Sequence, residues 1–550
     1  MPPPATTSLR ARSALAALVV VLLLGLAACS GSEAPQGDPP STAPVSDPQP
    51  SPQDGPRDGG VLDVAVAATP TSWAPAGPRW NAAELQAARG VYDRLMVRDV
   101  DDVPVVDLAT EVVPDDDYTV WQISLRPGIT FHDGTPVDAA AVAANLESQR
   151  VGSGAALLEP VGSVFAADEL TVYVSMTTPW STFPQVLTTQ VGYVAAPSVV
   201  DGSAVGPIGS GPFAYAETTL DGVTHLTRNE AYWKDGLPHL DGVRLVPIDE
   251  AADRVDAALE GTVDLAVVDE PRQLSRIEAL DDRDGVSIVE DRNGERPKLV
   301  IALETGRAPF DHINARRALA FATDRDELLD AVFDGQGTIA RGPLSDTSPL
   351  FSDHTPPAQN IDRAREESTR YTEETGERIR FEVLVPPDPT ITHVASMWRV
   401  QLAEAGIEVQ LVPVEWAAIR AATLAGQYQA ALQLGFSEPH PDLYEPLFRG
   451  IPAEQPVLNT NITRYVNPVV TEAFADARDT GDVARQVDDY RIVQEQLFVD
   501  QPYLFLVQLR SLGLASSTLR GLESWLPGSG SSDLADEAGT VSLTGVWFAG

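Results

Sequence analysis

Three kinds of side chain could carry chemistry in this 550-residue sequence: one thiol, seven imidazoles and a large excess of carboxylates. Cys29 is the only cysteine, and the histidines stand at 132, 225, 239, 312, 354, 393 and 440. Zinc sites draw on close-set Cys and His ligands. No histidine here has a partner at such spacing, and a lone thiol cannot form an internal disulfide. There is no G-x-S-x-G, no S-x-x-K and no phosphate loop, since neither Lys234 nor Lys298 follows a glycine. His132 beside Asp133 is the juxtaposition that invites an acid–base reading. With 79 acidic residues in the chain, neighbouring carboxylates mark nothing by themselves. The sequence is read as a non-enzyme with no cofactor and no metal.

Cys29 has a different chemistry, set by what precedes it. Ser13 to Ala28 is an apolar run behind Arg10 and Arg12, ending in small residues, which is the pattern of an export leader. The run is too short to cross a bilayer comfortably. Leu26-Ala27-Ala28-Cys29 resembles the lipobox of bacterial lipoproteins. That resemblance implies removal of residues 1–28, lipidation of the Cys29 thiol, and anchorage at the outer face of the cytoplasmic membrane. An ordinary secretory leader with an incidental cysteine is the plainer alternative. Residues 29–57 then read as a disordered tether. Eight prolines lie between Ser30 and Gly60, with Ser, Gly, Gln and Asp around them. Such a segment has too little apolar surface to offset its ordering entropy, and its prolines stiffen it into a spacer.

The elements that follow must place any site. Roughly 490 residues remain after the tether, enough for two or three domains. The net charge of −41 disfavours nucleic acid and anionic lipid surfaces as partners. Val61 to Ala67 alternates as a strand, and 82–95 has helical spacing. Tyr118 to Leu125 alternates again, Ile129-Thr130-Phe131 resumes a short strand, and Asp138 caps a helix through Leu146. Helices are predicted at 314–333, 392–405 and 468–499, with strands at 380–385 and 407–412. This interleaving argues a mixed α/β protein in several lobes.

The run Trp121-Gln122-Ile123-Ser124-Leu125-Arg126-Pro127-Gly128-Ile129-Thr130-Phe131-His132-Asp133-Gly134-Thr135-Pro136 resembles the signature of family 5 extracellular solute-binding proteins. Further segments match in that family's order. They are Gly209-Ser210-Gly211-Pro212-Phe213, Arg228-Asn229 with Tyr232-Trp233, Leu259 to Asp264, Ala315 to Arg325, and Leu402 to Val409 with Glu415-Trp416. The resemblance implies a periplasmic-binding-protein-like α/β fold of class II, cluster C. Two lobes would enclose ligand, and a middle lobe would pack beside them. Lobe I would comprise 58–95, 206–296 and 503–550, lobe II 96–205, and lobe III 297–502. It also implies that the His132 turn is scaffold, that Trp121, Tyr232 and Trp233 pack, and that glycines 128, 134, 209 and 211 serve turns or close approaches.

In the oligopeptide-binding branch of this family an aspartate pairs with the peptide's amino terminus. Aligned without gaps, Phe436 falls on that branch's tryptophan and Pro439 on the aspartate, and proline cannot hold an ammonium. Glu438 and then Asp442 are the candidate carboxylates, in the segment Gly435 to Asp442 that also holds Ser437 and His440. Trp416 matches a family indole that lines a side-chain pocket, and with Phe436 it would form an aromatic pair for varied ligand groups. Trp73 is a further cleft candidate.

The expectation is a lipid-anchored, monomeric binding protein that delivers a peptide or peptide-like solute to an ABC permease. Alternatives are a non-peptide solute (oligosaccharide, glycolipid fragment or metal chelate) and a scaffold or sensory lipoprotein that kept the fold. If Cys29 carries the anchor, Cys29→Ser expressed in a bacterium will move the protein from the membrane pellet to the soluble fraction. Membrane retention of that variant would contradict the lipid reading.

Overall fold

A computed structural model describes residues 55–99, 103–280, 285–290, 295–450, 460–522, 536–537 and 540–549. Cys29, the tether up to Asp54, and residues 523–535, 538–539 and 550 lie outside the described residues. Residues 55–550 form one compact unit, built on three main sheets. The Val61–Val66 strand, apolar at nearly every position, is buried in the middle of a seven-stranded sheet. It pairs in parallel with Gly242–Pro247 on one side and Leu265–Val268 on the other. Leu512–Ser516, Val286–Val289, Thr224–Arg228 and Phe213–Thr218 complete that sheet. A second sheet has six strands, in the order Thr338–Ile339, Tyr503–Gln508, Lys298–Leu303, Ala430–Gly435, Arg380–Val385 and Glu408–Pro413. Lys298–Leu303 is buried throughout, because helices cover both faces of this sheet; continuous rather than alternating apolarity follows from that. The third sheet is a four-stranded antiparallel one, Ala109–Pro114, Val120–Leu125, Thr171–Met176 and Val161–Ala166. Its strand Val120–Leu125 keeps strict alternation, with Trp121, Ile123 and Leu125 buried.

Several elements differ from the sequence expectation, each for a local reason. The first helix spans Ala82–Val91 and stops short of 95, where Tyr92 turns extended. Residues 314–333 form two helices, Ile313–Ala322 and Arg325–Phe333, because the Asp324 carboxylate accepts from Glu327 N–H and starts a new one. Residues 468–499 likewise split into Pro468–Arg478 and Val483–Asp500, with Asp482 capping the second. Ile129 to Phe131 makes only a bridge, Thr130 to Pro136, across the tight His-Asp-Gly turn. The chain also stays in the six-stranded sheet longer than expected. Tyr503–Gln508 pairs with Lys298–Leu303, so the return to the seven-stranded sheet begins after Gln508 rather than at 503.

The family-like motifs turn out to be fasteners. His132 accepts from Gly209 N–H at Nδ1 (3.4 Å) and sits 3.0 Å from the Gly211 carbonyl at Nε2, which fixes one neutral tautomer. Gly209 and Gly211 pass so close to Val91 that a Cβ on either would meet its backbone at 2.1 and 2.6 Å. Asp93, buried, accepts from Ser210 Oγ at 2.9 Å, Tyr232 OH at 3.0 Å and Trp233 Nε1 at 2.9 Å. Replacing Asp93 by Ala removes the acceptor these three donors share, with the Ser210 hydroxyl fully buried. An unsatisfied buried group costs about 1–3 kcal/mol, so urea denaturation of Asp93→Ala should show a loss of about 3 kcal/mol. A loss within error of zero would remove Asp93 from the list of structural residues.

Candidate functional site

Two loops leave the carboxyl ends of central strands and meet. The first follows Val66 and is rich in proline and glycine. It is held by the helix behind it: Asn81 caps that helix in a reciprocal box with Glu84, and Glu84 Oε1 also accepts from Thr71 Oγ1 and Ser72 N–H, each at 3.1 Å. Two amides reach the loop from elsewhere. Gln149 donates to the Pro75 carbonyl at 2.7 Å, and Gln190 to those of Pro75 and Pro78 at 2.9 and 3.2 Å. At the far end of this loop Arg79 reaches out and pairs with Glu438.

Glu438 stands on the second loop, which follows Ala430–Gly435. Phe436 begins it at a φ of 58°, and its carbonyl accepts from the buried Lys298 ammonium at 2.9 Å. Its ring turns into a cluster with Tyr444, Tyr503 and Phe505 at centroid distances of 5.0–5.1 Å. Ser437 and Glu438 form the half-buried tip, and the Glu438 carbonyl accepts from Tyr444 OH. His440 is buried edge-on against Tyr490, and its Nδ1 accepts from the Asp442 N–H at 3.3 Å.

Asp442 is fully buried and its carboxylate is engaged on both oxygens. Oδ1 takes Arg478 Nε at 2.6 Å; Oδ2 takes Trp180 Nε1 at 2.7 Å and Thr182 Oγ1 at 2.9 Å. Burial works to raise this carboxyl, but the Arg478 guanidinium and these donors outweigh it and hold it below its ordinary range. Arg478 also lies over the Trp180 ring at 4.8 Å.

The other candidates fall in different settings. Trp416 opens the helix Trp416–Ala425 and is 42 % exposed. Leu434, near the end of its strand, is equally exposed, so an indole and an isobutyl group stand open at the carboxyl edge of the six-stranded sheet. Trp73 packs edge-on against Tyr215 at 5.4 Å and donates to the Pro70 carbonyl at 3.3 Å. The structure therefore brings Ser437 and Glu438 to a loop tip, leaves Trp416 in the open, and places Phe436, His440, Asp442 and Trp73 in packed surroundings. Among the described residues no group of three or more His, Cys, Asp or Glu side chains could hold a metal ion. What is available is an anionic carboxylate, a guanidinium from the opposite sheet, and exposed apolar surface, the equipment for holding a charged organic solute.

Residues 103–450 match the family model for bacterial extracellular solute-binding proteins, family 5 (middle region). The chain belongs to this family. It is 26% identical over 480 residues to the glutathione-binding protein GsiB of Pectobacterium atrosepticum, covering 83% of this chain and 90% of that one. Its fold is similar to the oligopeptide-binding protein AppA from Bacillus subtilis in complex with a nonapeptide (TM-score 0.73, 21% identity, covering 88% and 100% of the two chains). It is also similar to DppA from Helicobacter pylori in complex with peptide STSA (TM-score 0.75, 20% identity, covering 90% and 99%). The three-sheet α/β architecture of this family 5 protein is thus the multi-lobed fold of periplasmic binding proteins, and the family is one of binding proteins rather than enzymes.

Arg79 escaped the sequence reading, since nothing in the Pro-Arg-Trp run announces a partner 359 positions away. Arg478 escaped for the same reason. His440 offers a test of this packed loop. Burial drives its imidazole down to about 4 from an ordinary 6.5, against a smaller opposing pull from Asp442. Between those values the unfolded chain binds a proton that the folded chain refuses, so stability falls as pH drops through that window and His440 adds nothing further below it. At 1.36 kcal/mol per unit, the loss is roughly 3 kcal/mol. The urea midpoint should fall less between pH 7 and pH 4.5 in His440→Gln than in the parent. Equal pH slopes would show that His440 does not titrate this way.

Proposed function

We propose that this family 5 protein is the capture subunit of an ABC importer. In this reading it is held at the outer face of the cytoplasmic membrane by the Cys29 lipid, and it takes a peptide or peptide-like solute between the Arg79 loop and the Ser437–Glu438 tip. The observation that carries the reading is Glu438, a half-buried carboxylate on the rim of one sheet that faces a residue from the other. A solute ammonium there would gain a charge-assisted hydrogen bond, while Trp416 and Leu434 would accept its side chains. GsiB, AppA and DppA, whose names or complexes concern glutathione or peptides, point to the same solute class. Asp442, with both oxygens engaged, has an architectural role in this reading. The proposed lobes are the seven-stranded, four-stranded and six-stranded sheets with their helices, and ligand contact across the first and third shifts an open–closed equilibrium.

A second reading rests on the ion pair itself. Glu438 already holds Arg79, so a solute without a free amine could be bound with that pair intact. Thermal unfolding of the full chain in detergent, refolded to remove carried solute, separates the two. It would be run against pooled di- to hexapeptides and against the same pool N-acetylated. Ligand at a hundred times its Kd stabilises a fold by about 2.7 kcal/mol. A response to free-amine peptides that Glu438→Gln abolishes is the expected result. A response to both pools, insensitive to Glu438→Gln, favours the amine-free solute, and silence with both pools would overturn the peptide reading.

A further inference from the structure

The seven- and six-stranded sheets are joined by two short crossings. One leaves Val286–Val289 at Glu290 and arrives at Lys298–Leu303; the other leaves Tyr503–Gln508 and passes through Leu509, Arg510 and Ser511 to Leu512–Ser516. Where the first crossing arrives it meets the second, Leu509 N–H donating to the Pro297 carbonyl at 2.8 Å. A joint of two strands can bend, and the angle between the sheets depends on what braces it.

Arg510 is placed in that joint. Its Nε and Nη2 donate to the two carboxylate oxygens of Glu290, on the other crossing, at 2.6 and 3.0 Å. Its Nη1 donates to Glu278 and, at 2.9 Å, to the Gln336 amide oxygen. These last two partners belong to different sheets. Glu278 ends the helix Pro271–Glu278, whose Leu274 and Ile277 pack with Ala266 and Leu512 of the seven-stranded sheet. Gln336 lies just before Thr338–Ile339, the edge strand of the six-stranded sheet. The link is doubled, because Gln336 Nε2 donates back to Glu278 at 2.8 Å and Ser275 Oγ donates to Asp334 at 2.7 Å. All three guanidinium nitrogens are used, and the Arg510 and Glu290 side chains are only 21% and 14% exposed. A forked, partly buried network of this kind is worth more than an isolated surface ion pair. Lysine, with a point charge and no fork, could not make it.

We propose that Arg510 is the positioning residue of the interlobe joint. Its fork pins the two crossings to each other, while Nη1 and Gln336 fix the angle between the sheets, and so set how closely the Arg79 and Glu438 loops approach. The inference goes beyond the binding reading and needs no ligand. Its test uses the full chain in detergent with Cys29→Ser and nitroxide labels at Leu220→Cys and Val400→Cys. Both positions are exposed, one on the seven-stranded sheet's Thr219–Val223 turn and one on the helix Pro389–Glu404. Pulsed electron paramagnetic resonance then reads the distance between the lobes. Arg510→Ala should shift the distribution to longer distance and broaden it, Arg510→Lys should fall between Ala and parent, and Gln336→Ala should lengthen it with the crossings still pinned. An Arg510→Ala distribution superimposable on the parent, in protein with parental circular dichroism, overturns the proposal. Should Arg510→Ala fail to fold, an unchanged distribution in Gln336→Ala overturns it instead.

Discussion

The Asp442–Arg478 ion pair is the interaction on which the cleft side of this molecule depends. A carboxylate with no exposure to water is tolerated only because a guanidinium and two further donors surround it. Those donors come from two places: Arg478 ends a helix beside the six-stranded sheet, whereas Trp180 and Thr182 belong to the segment after the four-stranded sheet. The pair therefore welds two sheets at the base of the loop that carries Glu438. Around it the same seam is repeated in neutral form, with Ser181 N–H donating to the Arg478 carbonyl at 2.8 Å and Ser181 Oγ to that of Ala477 at 3.2 Å. A loop tip rooted in so many fixed contacts can present a carboxylate in a defined place, which is what selective recognition needs.

Rigid roots and a bendable joint divide the labour in this fold. The Arg79 loop is fixed by Glu84, Gln149 and Gln190, and the Glu438 loop by Lys298, Tyr444 and Asp442. Neither loop has to reorganise for the two to meet, so the adjustable quantity is the angle between the sheets. Two crossings join the sheets directly, beside the Asp442 seam that ties the six-stranded sheet to the four-stranded one. A small rotation at Arg510 is carried to the rims by stiff sheets, and the energy that controls it can reside far from the solute.

Much of this was legible in the residues, and the limits have physical causes. Strands read from their patterning, such as Val120–Leu125 and Val61–Val66, declared themselves because burial dictates their composition. Caps were legible where an Asp preceded a helix, as at Asp138. The same chemistry was missed at Asp324 and Asp482, where an apolar period running through both helices masked the restart. Site residues were harder. Phe436 aligned with a ligand-lining position, yet a positive φ and a hydrogen bond from Lys298 to its carbonyl turn its ring inward, and neither is visible in one dimension. Asp442 was read as a candidate carboxylate for a ligand ammonium; its partners, 36 and about 260 positions distant, engage both of its oxygens instead. Long-range ion pairs leave no local signature.

The order of strands has a consequence for how such a chain can become a folded protein. Leu512–Ser516 lies between Val286–Val289 and Leu265–Val268 in the seven-stranded sheet, and Tyr503–Gln508 fills an interior place in the six-stranded one. Both sheets thus wait for residues near the carboxyl end, although the first strand of each emerges hundreds of residues earlier. A chain threaded amino end first through an export channel would spend that interval with open β edges on each unfinished sheet, the surfaces most prone to wrong pairing. Its many negative charges would keep such waiting chains apart, which gives the acidic composition a role during assembly as well as in the finished molecule.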